Sequence, residues 1–297
     1  MLLAVPLKRP SAGLGVLWAA FVLLLARSAC AQPADAPASA CGEVVAVGTH
    51  GGTTTRYSIA SAQGASPGQP RVALVLLPGG GGRLNLDEKG CPRTLRGNSL
   101  VRSAPHFHAA GFITALVDAP SNYTGDEGLG AFRVATQHAN DLGRVVADVR
   151  ERIGAAVWVI GTSRGAISAV NAAARLSGPA LPDGLVLTSP VTVGTASARV
   201  AWAAHSVFDL PLEAIRLPVL VIGHAADTCF RSPAKLNGRI VEKTNGVREQ
   251  VVLVSGGPGG AGASDLSACE GRTPHGFLEQ EAEVAAGIAR FIRGGSY

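Results

Sequence analysis

The chain has 297 residues, 47% hydrophobic and only 16% charged, which excludes an intrinsically disordered protein and supplies apolar side chains for one large core. Its net charge is +5, but residues 1–31 hold Lys8, Arg9 and Arg27 and no acid, so the remainder carries +2. That remainder has no basic cluster interleaved with aromatic residues, so no nucleic-acid partner is expected.

Lys8 and Arg9 precede an apolar run over residues 14–26, and Ala29-Cys30-Ala31 then offers a small-residue cleavage site before Gln32. The run is too short to span a bilayer comfortably. Residues 1–31 therefore read as a cleaved secretory signal peptide, with a secreted or periplasmic product that is not inserted in a membrane. A lipidated Cys30 is disfavoured, because Arg27 stands where lipoprotein signals usually carry an aliphatic residue. Four cysteines remain after cleavage: Cys41, Cys91, Cys229 and Cys269. An even number in an exported chain predicts two disulfides, with three possible connectivities. Their spacing matches no zinc pattern. The Ala/Pro-rich stretch 32–41 reads as a flexible lead-in, and 42–297 as one domain.

Residues 43–48 and 54–60 alternate apolar and polar side chains and predict two antiparallel edge strands. A turn-rich loop (62–70) leads to a buried strand over 71–77, which runs into Pro78-Gly79-Gly80-Gly81-Gly82. Residues 82–98 are irregular, 100–110 predict a helix stopped by Gly111, and 112–117 a strand ending at Asp118. After a loop over 119–131, residues 132–153 predict a long amphipathic helix. Val134, Leu142, Val145, Val146, Val149 and Ile153 form its apolar stripe, and Asp141, Arg144, Asp148 and Arg152 the opposite face. Further strands are expected at 185–188, 217–223 and 249–254, and helices at 166–176, 232–245 and 276–293. Residues 189–216 leave room for a helix or two but no lid domain. The alternation predicts an α/β fold: a doubly wound, mostly parallel sheet with helices on both faces.

The sharpest signal is VWVIGTSRGAISAVN, residues 157–171. An apolar β-branched run meets Gly161-Thr162-Ser163-Arg164-Gly165, and an alanine-rich helix follows. This is the context a G-x-S-x-G nucleophile elbow needs: the tight turn tolerates almost no side chain two residues either side of the serine. A helix cap is the bland alternative for Ser163. The same string recurs at 64–68 (GASPG), but no strand leads into it and Pro67 removes an N–H, so it reads as a surface turn.

A serine hydroxyl needs a base within reach, and the base needs an acid. Asp227 follows the strand at 217–223, and His275 lies beyond the last strand. In the order Ser163, Asp227, His275, behind successive strands, the sequence resembles the α/β-hydrolase family. That resemblance spans nearly the whole mature chain but is specific only in these motifs. It implies an acyl-enzyme hydrolase with no cofactor and no metal. It also implies an oxyanion hole from the Arg164 amide and an amide after the strand at 71–77. Family members often begin that second loop with His-Gly; here it is Pro78-Gly79, and Gly80 is the expected donor, with Gly81 second. Asp118 is the reserve acid, better read as a turn residue. His224 reads as a core or rim histidine, and His106 with His108 cannot share a helical face. His50, His138 and His205 lack a strand-end position. The glycine run lacks a G-K-[ST] and does not read as a phosphate cradle.

Similar secreted, lidless cutinase-like esterases use a disulfide near the acid and the histidine. That likeness implies Cys229–Cys269, which leaves Cys41–Cys91; both bridges can equally be simple extracellular staples. The expected function is hydrolysis of small-molecule or polymeric carboxylic esters. A peptidase or amidase on the same scaffold and a non-catalytic binding protein are the alternatives. Phe112, Tyr123, Phe132, Trp202 and Phe208 read better as packing than as pocket lining. The Arg164 guanidinium either meets an acidic substrate or reaches solvent. Tyr123 and Asp126 lie in a loop able to overhang Ser163.

Overall fold

Residues 72–77 (VALVLL) place Ala73, Val75 and Leu77 in one core and Leu74 and Leu76 in another. A strand apolar on both faces belongs inside a parallel sheet. The structure, a computed structural model, describes residues 41–61, 71–258 and 265–297. The signal peptide, most of the lead-in and the GASPG copy fall outside the described residues. The strands are β1 (Glu43–Gly48), β2 (Thr54–Ser61), β3 (Val72–Leu77), β4 (Ile113–Val117), β5 (Ala156–Thr162), β6 (Gly184–Thr188), β7 (Val219–His224) and β8 (Glu249–Val254). They form one sheet in the order β1-β2-β4-β3-β5-β6-β7-β8. β1 and β2 are antiparallel and the other six run parallel, as expected.

The helices are α1 (Ser99–Ala109), α2 (Thr136–Ile153), α3 (Arg164–Arg175), the single turns α4 (Ala201–Ala204) and α5 (Gly238–Val241), and α6 (Glu281–Ile292). Leu142, Val145 and Val149 of α2 and Ile167 and Val170 of α3 fill one core with the odd face of β3. Leu100 and Phe107 of α1 and Ile288 and Phe291 of α6 fill the other. The sheet is thus covered on both sides, and all six parallel strands point their carboxyl ends at one rim. Among the described residues no helix is long and apolar enough to cross a membrane.

Several boundaries differ from expectation, some for tertiary and some for local reasons. The helix expected from residue 132 begins at Thr136, after a 3-10 turn over Gly130–Val134 and an extended Ala135 (ψ 141°). Buried Asn171 on α3 donates from Nδ2 to the carbonyls of Arg133 and Ala135, at 2.9 and 2.8 Å, and so pins the stretch just before α2, whose first amides also reach the Ala135 carbonyl. Asp141 is not on a solvent face: it is buried, accepting from the His50 amide (2.9 Å) and ring (2.5 Å). Residues 232–245 do not form one helix but a 3-10 turn (Ala234–Leu236) followed by α5. Pro233, Asn237 and Gly238 are all poor helix formers. β7 starts two residues late because Pro218 has no N–H to give the ladder. The terminal helix starts at Glu281, since Phe277 and Glu279 have φ of 53° and 60°.

Candidate active site

β5 ends at Thr162 and α3 begins at Arg164, leaving Ser163 alone to reverse the chain. Its backbone sits at φ 51°, ψ −122°, a region that L residues rarely occupy. The glycines on either side explain how the turn fits. A Cβ on Gly161 would lie 2.5 Å from the Gly165 carbonyl, and one on Gly165 would run into the carbonyl of Leu77. The Ser163 amide is held by the Thr188 carbonyl on β6 at 2.9 Å. Its hydroxyl does not cap α3, which removes the bland reading. With no partner among the described residues, that hydroxyl faces a cavity of about 420 Å³. The volume suits a small organic ligand, for which roughly 300–1,000 Å³ is usual.

His275 lines the same cavity and is only 2% exposed. Its Nδ1 lies 2.9 Å from Asp227 Oδ2, while its Nε2 is buried with no hydrogen-bond partner. The other Asp227 oxygen accepts from the Cys229 amide at 2.8 Å. Asp227 is therefore placed to accept from two donors, an arrangement that favours the ring proton on Nδ1.

The loop that carries His275 is clamped from three directions. Ser189 Oγ donates to the His275 carbonyl at 2.8 Å, and Thr273 Oγ1 accepts from the His275 amide at 3.2 Å. Arg102, on α1, donates to the carbonyls of Gly271 and Gly276, both at 2.7 Å, and to that of Gly97, while its Nε pairs with Glu281. The third clamp is covalent. Cys229 is bonded to Cys269 across 40 residues, and Cys41 to Cys91 across 50, so the implied connectivity is the one found. Asp227, Cys229 and His275 gather ligating atoms within 4.8 Å, but the sulfur of Cys229 is already committed to Cys269.

Gly80 lines the cavity in a left-handed conformation (φ 58°), and a Cβ on neighbouring Gly79 would lie 2.9 Å from that of Ser163. The amides of Gly80 and Arg164 donate to no acceptor among the described residues. Gly81 does not line this cavity, and its carbonyl takes the Leu129 amide at 2.9 Å. Under this loop lies Arg133, only 2% exposed. Its guanidinium donates to the carbonyls of Pro78 (3.2 Å) and Gly80 (3.3 Å) and to Ser168 Oγ (2.7 Å). Burial, and then the charge of Arg164, push its pKa down to about 9. Ser168 also meets His138 Nε2 at 2.8 Å. Burial, then Arg133 and His50, push His138 down to about 3, so it is neutral and accepts the Ser168 proton. Neither Arg102 nor Arg133 carries a sequence signal for its role: Arg102 reaches carbonyls 169 and 174 residues away, and Arg133 carbonyls 55 and 53 residues away.

The remaining candidates resolve plainly. Asp118 accepts from the amides of Leu84, Leu86 and Ala119 at 2.6, 3.0 and 2.8 Å, and shapes a loop. His224 is a core histidine whose Nδ1 takes the Ala226 amide (3.0 Å) and whose Nε2 meets Gln280 (2.8 Å), bracing the Asp227 turn. His108 bonds Thr114 at 2.7 Å. Phe112 is buried in a core, and Tyr123 and Phe132 stack on each other at 4.6 Å. Trp202 departs from expectation: it lines the cavity.

No protein-family model matches the chain, and no curated protein is similar to it in sequence. Solved structures are similar in fold. A monoglyceride lipase from Saccharomyces cerevisiae superposes with a TM-score of 0.58 at 12% identity, covering 89% of this chain and 100% of that one. A dienelactone hydrolase from Anabaena variabilis gives 0.56 at 14% identity, covering 86% and 99%. A thermophilic esterase from the planctomycete Thermogutta terrifontis gives 0.55 at 18% identity, covering 84% and 92%. Sheet order, the strained serine turn after β5 and these superpositions agree: the chain has the α/β-hydrolase fold.

Proposed function

We propose that the protein is an exported serine hydrolase that cleaves carboxylic esters through Ser163, His275 and Asp227. One observation carries the reading. A buried imidazole, fixed at Nδ1 by a carboxylate, turns an unpartnered Nε2 toward a cavity it shares with a serine held at positive φ. Ser163 Oγ attacks the ester carbonyl carbon as Nε2 takes its proton. Asp227 stabilises the imidazolium. The amides of Arg164 and Gly80 donate to the developing alkoxide, and the positive end of α3 adds to them. The tetrahedral adduct collapses, Nε2–H protonates the departing alcohol, and an acyl-enzyme remains. Water, deprotonated by Nε2, then attacks the acyl carbon, and collapse returns the carboxylic acid and the serine. The fold is shared with a lipase and an esterase, and that lends support to the ester as substrate. Two disulfides and a cleavable leader support an oxidising, extracellular or periplasmic site.

The test is turnover of matched p-nitrophenyl esters and anilides by purified residues 32–297. We expect ester hydrolysis that disappears in Ser163→Ala. Faster turnover of the anilide would instead assign an amidase, and no turnover of either would favour a binding protein.

A further inference from the structure

The cavity beside Ser163 carries more positive charge than the ester chemistry above requires. Arg164 and Arg231 both line it, and they flank one indole: their guanidinium carbons lie 4.8 and 5.6 Å from the centroid of Trp202. Arg231 is 4% exposed. Its Nε and Nη2 hold the carbonyls of Val193 and His205 at 2.7 and 2.9 Å, but its Nη1 is buried without a partner. Arg164 donates no hydrogen bond to an acceptor among the described residues. Burial, then the charge of Arg231, push its pKa down to about 10, against the pull of Glu127. Among the described residues, arginine–carboxylate ion pairs join Arg102 to Glu281, Arg150 to Asp183 and Arg152 to Asp148; none involves Arg164 or Arg231. Glu270 stands exposed on the cavity rim and bonds neither. A buried, unpaired guanidinium is costly unless an anion joins it.

We propose that Arg164, Arg231 and Trp202 form an anion subsite that selects esters bearing a free carboxylate on the acyl chain. The planar fork of Arg231 offers Nη1, Arg164 supplies the second charge, and the indole keeps the two cations in place. The word ester rests on the hydrolase reading above; the anion subsite does not.

The experiment compares mono-p-nitrophenyl adipate and suberate with their neutral methyl esters. Wild type is expected to favour the free acids in kcat/KM by about 10- to 100-fold, the range of one or two charge-assisted bonds. Added salt shrinks that ratio. Arg164→Gln and Arg231→Gln each reduce it about tenfold. Arg164→Gln is the safer variant, because its side chain supports no other part of the fold. A ratio of one or less in active wild type, or a ratio unchanged in both variants, overturns the subsite. A second measurement needs no turnover: calorimetric titration of Ser163→Ala with monomethyl and dimethyl adipate. Tighter binding of the free acid, lost in Ser163→Ala/Arg164→Gln, supports the subsite; equal affinity or no binding overturns it. Preference in the titration without turnover in wild type sinks the hydrolase reading and leaves the subsite standing.

Discussion

Replacing Arg133 by methionine separates stability from catalysis. The guanidinium donates to the Pro78 and Gly80 carbonyls and to Ser168 Oγ. Losing a donor at a buried acceptor costs roughly 1–3 kcal/mol each. The opposing effect is of similar size. Burial, and then the charge of Arg164, hold the group well below an ordinary guanidinium, at about 9. Removing the charge relieves that desolvation and repulsion, on the order of 5 kcal/mol at about 1.4 kcal/mol per unit. The two effects largely offset, so net stability should fall by no more than about 4 kcal/mol. Catalysis has no such compensation. With its carbonyl released, Gly80 no longer points its amide at one place, and losing one oxyanion donor costs about 100- to 1,000-fold in kcat. KM should change little, since the bond forms mainly in the transition state. Urea melts beside steady-state kinetics on p-nitrophenyl butyrate provide the assay. Arg133→Lys keeps the charge but cannot fork across two carbonyls, so it should recover only part of kcat. A kcat within about threefold of wild type in Arg133→Met, on a folded protein, would refute this role for Arg133.

Asp227→Asn should lower kcat by about 10,000-fold while leaving the fold intact, because the amide no longer fixes the imidazole tautomer; a loss below about tenfold in the kinetic assay would assign the acid elsewhere. His138 has a folded pKa of about 3, below its ordinary 6.5. The unfolded chain therefore binds the proton first, and stability falls as pH drops from about 6.5 toward 3, with about 2 kcal/mol lost by pH 5. His138→Gln should flatten that part of the urea-melt pH profile, and an unchanged slope would remove His138 as its cause. Cys229→Ser/Cys269→Ser opens a bridge across 40 residues. It should lower stability by about 4 kcal/mol on the chain-entropy estimate and lower kcat as the His275 loop loosens; an unshifted thermal midpoint would contradict this.

The parts of the molecule readable in the sequence are those whose cause is local. The elbow declares itself because Gly161, Ser163 and Gly165 lie within five residues and the turn tolerates nothing bulkier. β3 and β5 declare themselves because strands buried on both faces are apolar throughout. The site's supporting contacts are hidden where distant partners decide. Nothing between residues 132 and 136 announces that Asn171 takes two carbonyls there and delays α2. Asp141 follows the helical period of a surface residue, yet His50, 91 positions away, draws it inside. Arg102 and Arg133 look like ordinary surface arginines until the fold brings backbone carbonyls to them. Trp202 and Arg231 meet only because the segment after β6 folds back over the rim.

The proposed chemistry requires Ser163 to be the one activated hydroxyl. Incubation with a fluorophosphonate, followed by intact mass and peptide mapping, reads this most directly. One adduct per chain is predicted, on the peptide containing Ser163, with labelling abolished in Ser163→Ala and strongly slowed in His275→Ala. A folded wild-type protein that takes up no label, or takes it up on another residue, would contradict the account.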